Sequence, residues 1–233
     1  MQHADLRERV LDANLALGRA GLVVLTFGNA SAIDRASGVV AIKPSGVSYE
    51  RLTAGDVAIV DVETGAVVDG DTRPSSDTPT HVVLYRAWRD VGGIVHTHSA
   101  FATAWAQARL DIPCYGTTHA DHFHGAVPVT RALSAAEIDG EYERATGDVI
   151  VETFAARGLE PLERPAVLVA SHGPFAWGAS AEDAVENAIA LEMVAASAIR
   201  SVALAGSLEE VPAALLEKHF SRKHGPAAYY GQP

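Results

Sequence analysis

Two histidines separated by a single residue, His96 and His98, are the side chains in this sequence with the clearest chemical use. They lie at the end of the run Ile94–His98, which predicts a β-strand. Alternate residues of a strand point to the same face, so the two imidazoles would lie side by side as ligands for a divalent transition metal. A polar strand end with two solvated histidines shows the same pattern, and for an isolated pair this is the more frequent situation.

A third histidine makes a metal site the more favoured interpretation. His172 follows the apolar run Val167–Ala170 and lies in a Gly/Pro turn, where a side chain can project from a strand end into a site. Three histidines with an open coordination position are typical of a catalytic zinc that acts as a Lewis acid. Asp77 is a candidate fourth ligand or gate, and its alternative role is to cap a helix that begins at Pro79.

Small polar residues in predicted turns suggest an anion pocket. Ser75-Ser76 comes just before a predicted helix N-terminus, where free N–H groups and the helix dipole favour a phosphate. Ser45-Gly46 and Gly28-Asn29 are further turns, and Lys43 is one of only three lysines. Each feature alone is ordinary turn chemistry. Together they would form a modest pocket for a small phosphorylated substrate.

Two other segments carry polar or aromatic groups that have both a simple and a catalytic interpretation. The run Gly116–Gly125 is rich in turn formers, so we expect an exposed loop rather than a second metal site, although it contains His119, His122 and His124. Asp121 in this run is either a proton carrier or a solvated carboxylate. Tyr230 near the C-terminus is either an interface aromatic or a catalytic phenol on a tail that closes a site.

The elements that must position these side chains follow from hydrophobic periodicity and turn residues. Hairpin-length spacing between the strands favours antiparallel pairing. We therefore expect a single α/β domain over residues 1–233, with a largely antiparallel sheet and helices packed on both sides. Helices are predicted at 5–20, from Pro79 to about Arg89, at Ala100–Ala108, at Val149–Arg157 and from a cap at Ser180 to about Ala205. Strands are predicted at Leu22–Thr26, Val39–Ile42, Val57–Val62, Ala66–Val68, Ile94–His98 and Ala166–Ala170.

The amino-acid composition argues against several classes of protein and of binding partner. The 233 residues include 18 basic and 29 acidic side chains, for a net charge of −11, which argues against nucleic-acid and anionic-membrane partners. The single cysteine, Cys114, excludes an internal disulfide framework. The N-terminus has no apolar signal region, so we expect a cytoplasmic protein. Glycine motifs of the dinucleotide-binding and P-loop types are missing from the sequence.

Several of these segments resemble the class II aldolase/adducin superfamily. They are Gly28–Ser31, Lys43–Gly46, Ser75–His81, Ile94–Ser99 and Ser171–Gly178. Within that superfamily, four further segments narrow the resemblance to the L-ribulose-5-phosphate 4-epimerases: Gly116–Asp121, Glu137–Tyr142, Lys218–Gly225 and Ala228–Gln232. The resemblance covers almost the whole chain. One departure is that His122 and His124 stand where the family pattern has tyrosine.

The resemblance implies an α/β fold and a homotetramer with four-fold symmetry, whose active sites lie between subunits. It implies one divalent metal per subunit, usually zinc with manganese or cobalt as alternatives, held by His96, His98 and His172 with Asp77 as an additional acidic position. It implies that Asp121 and Tyr230 form an acid/base pair that reaches the metal from a neighbouring subunit, with the tail 215–233 completing the site. Substrate contacts would come from Gly28, Asn29, Lys43, Ser45, Gly46, Ser75 and Ser76, with supporting roles for Thr117, Glu143 and His219.

The implied reaction is the interconversion of L-ribulose 5-phosphate and D-xylulose 5-phosphate by cleavage and recombination of the C3–C4 bond. The substrate would be a small phosphorylated ketopentose. One alternative is a class II sugar-phosphate aldolase of the L-fuculose 1-phosphate type, and another is a non-catalytic adducin-like interaction protein. Asp77, where those aldolases carry glutamate, favours the epimerase, as do the complete segments Gly116–Asp121 and Ala228–Gln232.

Overall fold

The computed structural model describes residues 2–226 and 228–230. A seven-stranded sheet forms its centre, with the spatial order β4-β3-β2-β1-β5-β7-β6. Every pair of neighbouring strands is antiparallel. The strands are β1 (Asn29–Asp34), β2 (Val39–Ile42), β3 (Ala58–Asp61), β4 (Val67–Asp69), β5 (Gly93–His96), β6 (Ala166–Leu168) and β7 (Pro174–Gly178).

Helices cover both faces of the sheet, and each face has its own apolar core. On one face, α1, α3 and α7 pack against the sheet. On the other, α2 and α6 pack against it and against each other. The predicted fold class is therefore confirmed. The helices are α1 (Ala4–Arg19), α2 (Thr78–Ala87), α3 (Ala100–Ala108), α4 (Thr117–Ala120), α5 (Ala135–Asp139), α6 (Tyr142–Arg157), α7 (Ala181–Ala205) and α8 (Ala213–His224).

The first predicted strand is wrong. Leu22–Thr26 is irregular, with the side chains of Val24 and Leu25 65% and 73% exposed and Leu25 in the left-handed region at φ 57°. The chain becomes extended only at Asn29. All but the last residue of β1 are buried, because both faces of this strand are covered, so the sequence lacks the alternation that marks a half-buried strand.

Other boundaries also differ from the predictions. The predicted turn after Ser171 leads directly into strand β7, α6 begins at Tyr142 rather than Val149, and the basic tail forms α8. Strand β5 ends at His96, so His98 lies beyond the strand. The expectation that alternation within one strand pairs these two histidines is therefore wrong in detail.

Helix α7 is long and apolar enough to cross a membrane by length and composition alone. Its buried residues belong to the core shared with the sheet, and it packs against β5 and β7. We therefore interpret α7 as a core helix.

Candidate functional site

The three predicted histidines converge at one end of the sheet. His96 ends β5, His98 follows two residues later, and His172 lies in the turn between β6 and β7. The antiparallel pairing of β5 with β7 sets His96 opposite Phe175, which brings that turn alongside. One ligand nitrogen from each of the three histidines lies within 4.8 Å of the others. We call these three residues the histidine cluster.

The donor chemistry of the cluster fits a divalent metal. The Nδ1–H of His96 donates to the Pro174 carbonyl at 2.9 Å, which leaves the lone pair of Nε2 directed at the cluster. The Nε2 atoms of His96 and His98 are 3.2 Å apart, and two imidazoles on a tetrahedral zinc would have nitrogens about 3.3 Å apart. Burial and the neighbouring His96 and His98 lower the pKa of His172 to about 4, and burial also lowers the pKa of His96. Neutral imidazole is the form that binds metals.

Asp77 faces the histidine cluster and not the helix that it precedes. It occupies the N-cap position of α2, yet its side chain makes no capping hydrogen bond, so the capping alternative is wrong. Instead, Asn29 Nδ2 donates to Asp77 Oδ2 at 2.7 Å. Burial opposes ionisation of Asp77, but its electrostatic interactions with the His96 and His81 rings and the hydrogen bond from Asn29 outweigh burial, and the net pKa is below its usual range.

A cavity of about 410 Å³ opens onto the histidine cluster and Asp77, and we call it the cluster cavity. Most of the predicted substrate contacts line it together. They are Gly28, Asn29, Lys43, Ser45, Gly46, Ser75, Ser76 and Glu143. The N-terminus of α2 adjoins Ser75 and Ser76, so its free N–H groups add to the anion-binding character of the cavity.

Lys43 brings a buried cation to this cavity. Its Nζ lies 3.4 Å from the carbonyl oxygens of Thr26 and Pro44, and 4.7 Å from the centre of the Tyr49 ring. Burial lowers the pKa of Lys43. Among the described residues no carboxylate forms a salt bridge with Lys43, so an anionic ligand would meet an ammonium group that no acid already neutralises.

Gly28 is required by its surroundings. Its φ of +80° is in the left-handed region, and a Cβ there would lie 2.9 Å from both the His96 carbonyl oxygen and a methyl group of Val23. A side chain at this position would therefore displace the backbone that carries the first histidine of the cluster.

Four predicted site residues lie away from the cluster cavity within this chain: Thr117, Asp121, His219 and Tyr230. Asp121 accepts a bidentate pair from Arg222, at 2.9 and 2.7 Å, and a third bond at 3.0 Å links it to His219 Nδ1. The Arg222 guanidinium also lies 4.1 Å from the centre of the Tyr230 ring. We call Asp121, His219, Arg222 and Tyr230 the Asp121 network.

The expectation of an exposed loop at Gly116–Gly125 is wrong. Asp121 is only 8% exposed and His119 only 3%, because the short helix α4 packs against α8. Burial opposes ionisation of Asp121, but hydrogen bonds from Arg222 and His219 lower its pKa below the usual range. Phe123, fully buried, anchors the segment in the core.

The two histidines that depart from the family pattern face α8. His122 lies 3.2 Å from Lys223 Nζ, and burial together with that cation lowers its pKa to about 4. His124 contacts Glu217 at 2.5 Å and packs against the Phe220 ring. Neither residue lines the cluster cavity.

Sequence reasoning missed two residues that contact the histidine cluster. The Tyr142 hydroxyl is 3.4 Å from His172 Nδ1 and lines the cavity. The Phe175 ring stacks on His96 with a centroid distance of 4.2 Å. The sequence did offer a signal for Tyr142, because it adjoins Glu143, a predicted substrate contact, whereas nothing in the local sequence indicates the stacking of Phe175.

Three solved structures are similar along most of the chain. An L-fuculose 1-phosphate aldolase is 24% identical with a TM-score of 0.79, and the match covers 95% of this chain and 97% of that one. YgbL from Klebsiella pneumoniae, whose description leaves aldolase, epimerase and decarboxylase activities open, is 25% identical with a TM-score of 0.72, covering 94% and 99%. The L-fuculose-1-phosphate aldolase from Thermus thermophilus is 23% identical with a TM-score of 0.68, covering 88% and 97%. The likeness to the two aldolases shows a shared fold.

The sequence also matches a described protein family. The Class II Aldolase and Adducin N-terminal domain matches residues 8–199. This range is most of the 233 residues and contains the whole sheet and the histidine cluster. The chain therefore belongs to the class II aldolase/adducin family.

Proposed function

We propose that this protein is a metal-dependent epimerase that interconverts L-ribulose 5-phosphate and D-xylulose 5-phosphate. The observation that carries the proposal is the shared cavity, which is lined both by the histidine cluster and by Lys43, Ser75 and Ser76. The first group suits a divalent metal and the second suits a phosphorylated ligand. Such an enzyme of small-molecule metabolism is expected in the cytoplasm.

The chemistry of the substrate dictates the route. The C4 centre of the ketose is not adjacent to a carbonyl, so its C–H bond is not acidic enough for simple deprotonation. The C3–C4 bond, in contrast, is a retro-aldol bond, and its cleavage gives an enediolate and glycolaldehyde phosphate. A divalent metal held by His96, His98 and His172 supplies Lewis-acid stabilisation of the developing negative charge.

The cavity residues hold the phosphorylated fragment through cleavage. Ser75 and Ser76 at the start of α2, with Gly28-Asn29 and Ser45-Gly46, offer N–H and polar side-chain groups to the phosphate. The Lys43 ammonium lies beside the substrate oxygens. Retention of the phosphate lets the released aldehyde turn over its carbonyl face and recombine with inverted configuration at C4.

Inversion needs one proton carrier on each face of C4, and we assign these roles to Asp121 and Tyr230. Their shared contact with Arg222 supports this pairing. Neither residue lines the cluster cavity of its own chain. We therefore propose that the Asp121 network, with Thr117, serves the cavity of a neighbouring subunit in a homotetramer.

A class II sugar-phosphate aldolase is the second candidate. The similarity to an L-fuculose 1-phosphate aldolase over 95% of this chain favours it. Both reactions would use the same histidine cluster and phosphate contacts. They differ in the fate of the aldehyde, which an aldolase releases and an epimerase retains. The aspartate at position 77, the Asp121 network and the family pattern of the C-terminal segment support the epimerase.

The test is direct incubation with L-ribulose 5-phosphate, following D-xylulose 5-phosphate with and without a chelator, with L-fuculose 1-phosphate as the parallel substrate. We expect chelator-sensitive epimerisation and slow or no cleavage of the fuculose ester. Cleavage of L-fuculose 1-phosphate without epimerisation would identify the aldolase.

Isotopes test the route separately. Carbon-13 at C3 and at C4 should each give a kinetic isotope effect, and deuterium at C4 should remain in the product. Exchange of that deuterium with solvent during turnover would contradict the retro-aldol route.

A further inference from the structure

A chain of buried polar side chains runs inward from the cluster cavity between α2 and β1. Asp77, His81 and Tyr85 follow one another at intervals of four, so they lie on one face of α2. Asn29 and Ser31 are two residues apart on β1 and share one face of the sheet. Asn29 bonds Asp77, and Ser31 bonds both His81 and Tyr85.

The hydroxyl protons of Ser31 and Tyr85 determine which nitrogen of His81 is protonated. Ser31 Oγ lies 2.7 Å from His81 Nδ1 and 2.8 Å from the Tyr85 hydroxyl. Donation from Tyr85 to Ser31, and from Ser31 to His81, uses both hydroxyl protons. That order leaves one group unpaired, the N–H at Nε2 of His81. The reverse order would leave two groups unpaired among the described residues, the Tyr85 hydroxyl proton and the Nε2 lone pair. Nδ1 of His81 is therefore an acceptor, and the neutral ring carries its proton on Nε2.

The N–H group at Nε2 of His81 is the donor in this row of polar side chains that lacks a hydrogen-bond partner among the described residues. His81 is fully buried, and its Nε2 has no hydrogen-bond partner in the described part of the chain. The His81 ring also lies close to the histidine cluster. It meets the Phe175 ring edge-on at a centroid distance of 6.0 Å, and Phe175 in turn stacks on His96. Asp77 and His96 are close enough to interact electrostatically with the ring. A buried donor without an acceptor is costly, so a role near the histidine cluster would explain its retention.

We propose that His81 is a positioning residue for Asp77, a role that rests on the proposed metal site. Its Nε2–H donates through one bridging water to the Asp77 carboxylate and so holds that carboxylate toward the histidine cluster. Asn29 and Ser75 both contact Oδ2 of Asp77. This arrangement leaves Oδ1 available to accept from that water.

A matched pair of substitutions separates the two ring nitrogens. His81→Asn places an amide near the position of Nδ1 and loses the donor at Nε2, whereas His81→Gln places its amide near Nε2. The measurement is the affinity of metal-free protein for Zn²⁺, by competition with a chromophoric chelator, which requires no turnover. We expect His81→Asn to weaken zinc binding by about 10- to 100-fold, the range typical of groups that orient metal ligands, and His81→Gln to stay within about threefold.

Two further variants identify Asp77 as the group through which His81 acts. We expect Asp77→Asn to weaken zinc binding by a similar factor. In the double variant, His81→Asn should cause no further loss of zinc affinity beyond that of Asp77→Asn alone. His119→Asn is the control, because His119 is also a buried histidine bonded through one ring nitrogen but does not line the cluster cavity. It should leave zinc affinity unchanged.

Equal losses in the Asn and Gln variants, or additive losses with Asp77→Asn, would overturn the proposal. If His81→Asn does not fold by circular dichroism, His81→Phe replaces it, since it keeps a ring in the buried position and removes the donor at Nε2. An unchanged zinc affinity in His81→Phe would then overturn the proposal. Failure of the wild-type protein to bind zinc would instead refute the proposed function, so the two failures are distinguishable.

Discussion

The helix that follows the second histidine of the cluster is held at its start by a carboxylate from another helix. Glu192 of α7 accepts from the backbone N–H of Phe101 at 2.8 Å and of Ala102 at 2.9 Å. These are two of the free donors in the first turn of α3, and the N-cap residue Ser99 contributes no side-chain bond. We predict that Glu192→Ala destabilises the protein by releasing this helix start.

The magnitude follows from the two contacts. A hydrogen bond to a charged group contributes about 1.5–3 kcal/mol, and a carboxylate at a helix N-terminus about 0.3–1 kcal/mol. Glu192 is half-buried, so the low end of each range applies. The expected loss in free energy of unfolding is therefore roughly 2–4 kcal/mol for Glu192→Ala. Glu192→Gln keeps one acceptor oxygen and should lose about half of that amount.

The assay is urea denaturation of metal-free protein at one fixed protein concentration, because an oligomer's stability depends on concentration. Glu186→Ala is the matched control, since Glu186 is an exposed glutamate on the same helix. It should change the free energy of unfolding by less than about 0.5 kcal/mol. Zinc affinity should fall in the order wild type, Glu192→Gln, Glu192→Ala, because His98 lies two residues before α3.

Two results would refute this reasoning. One is a Glu192→Ala variant as stable as the wild type, which would mean that the two N–H groups find other acceptors at no cost. The other is an equal loss in Glu186→Ala, which would show an effect of charge on α7 rather than of the contact with α3.

Three other predictions follow from the site. Mixing His98→Ala subunits with Tyr230→Phe subunits should restore epimerase activity that neither variant shows, and no restoration after verified subunit exchange would contradict a shared site. Asp121→Asn should lose about two to four orders of magnitude in epimerase rate yet keep its metal, measured by steady-state assay and metal analysis, and loss of the metal would contradict its assignment as a proton carrier. The metal-free protein should lose stability as the pH falls from 6.5 toward 4, because the pKa of His172 is lowered to about 4 in the folded protein and the unfolded chain therefore binds a proton that the folded chain does not. Urea denaturation should show a smaller pH-dependent loss of stability in His172→Asn than in the wild type. An equal loss in the two proteins would refute this role of His172.

Much of the site is visible in the sequence because its parts are local. The pair His96 and His98, the turn around His172 and the Ser75-Ser76 run each carry their chemistry within a few residues. Their grouping around one cavity was expected from residue types and from a family pattern, and the structure does bring them together. Helices α1, α2, α3 and α7, part of α6 and most strands were also predictable, since periodicity and caps are local properties, whereas α4, α5 and α8 were not predicted.

Tertiary structure alone decided how these parts meet. Pairing of β5 with β7 sets the turn carrying His172 beside His96, and no local pattern encodes that pairing. Strand β1 was missed because burial on both faces removes alternation. Asp121 looked like a loop carboxylate, but α8 buries it against Arg222, a residue 101 positions later in the chain. Local sequence determines which groups are available and which element each one occupies. The environment of each group depends on contacts between distant segments, and those form only when the sheet and its helices pack.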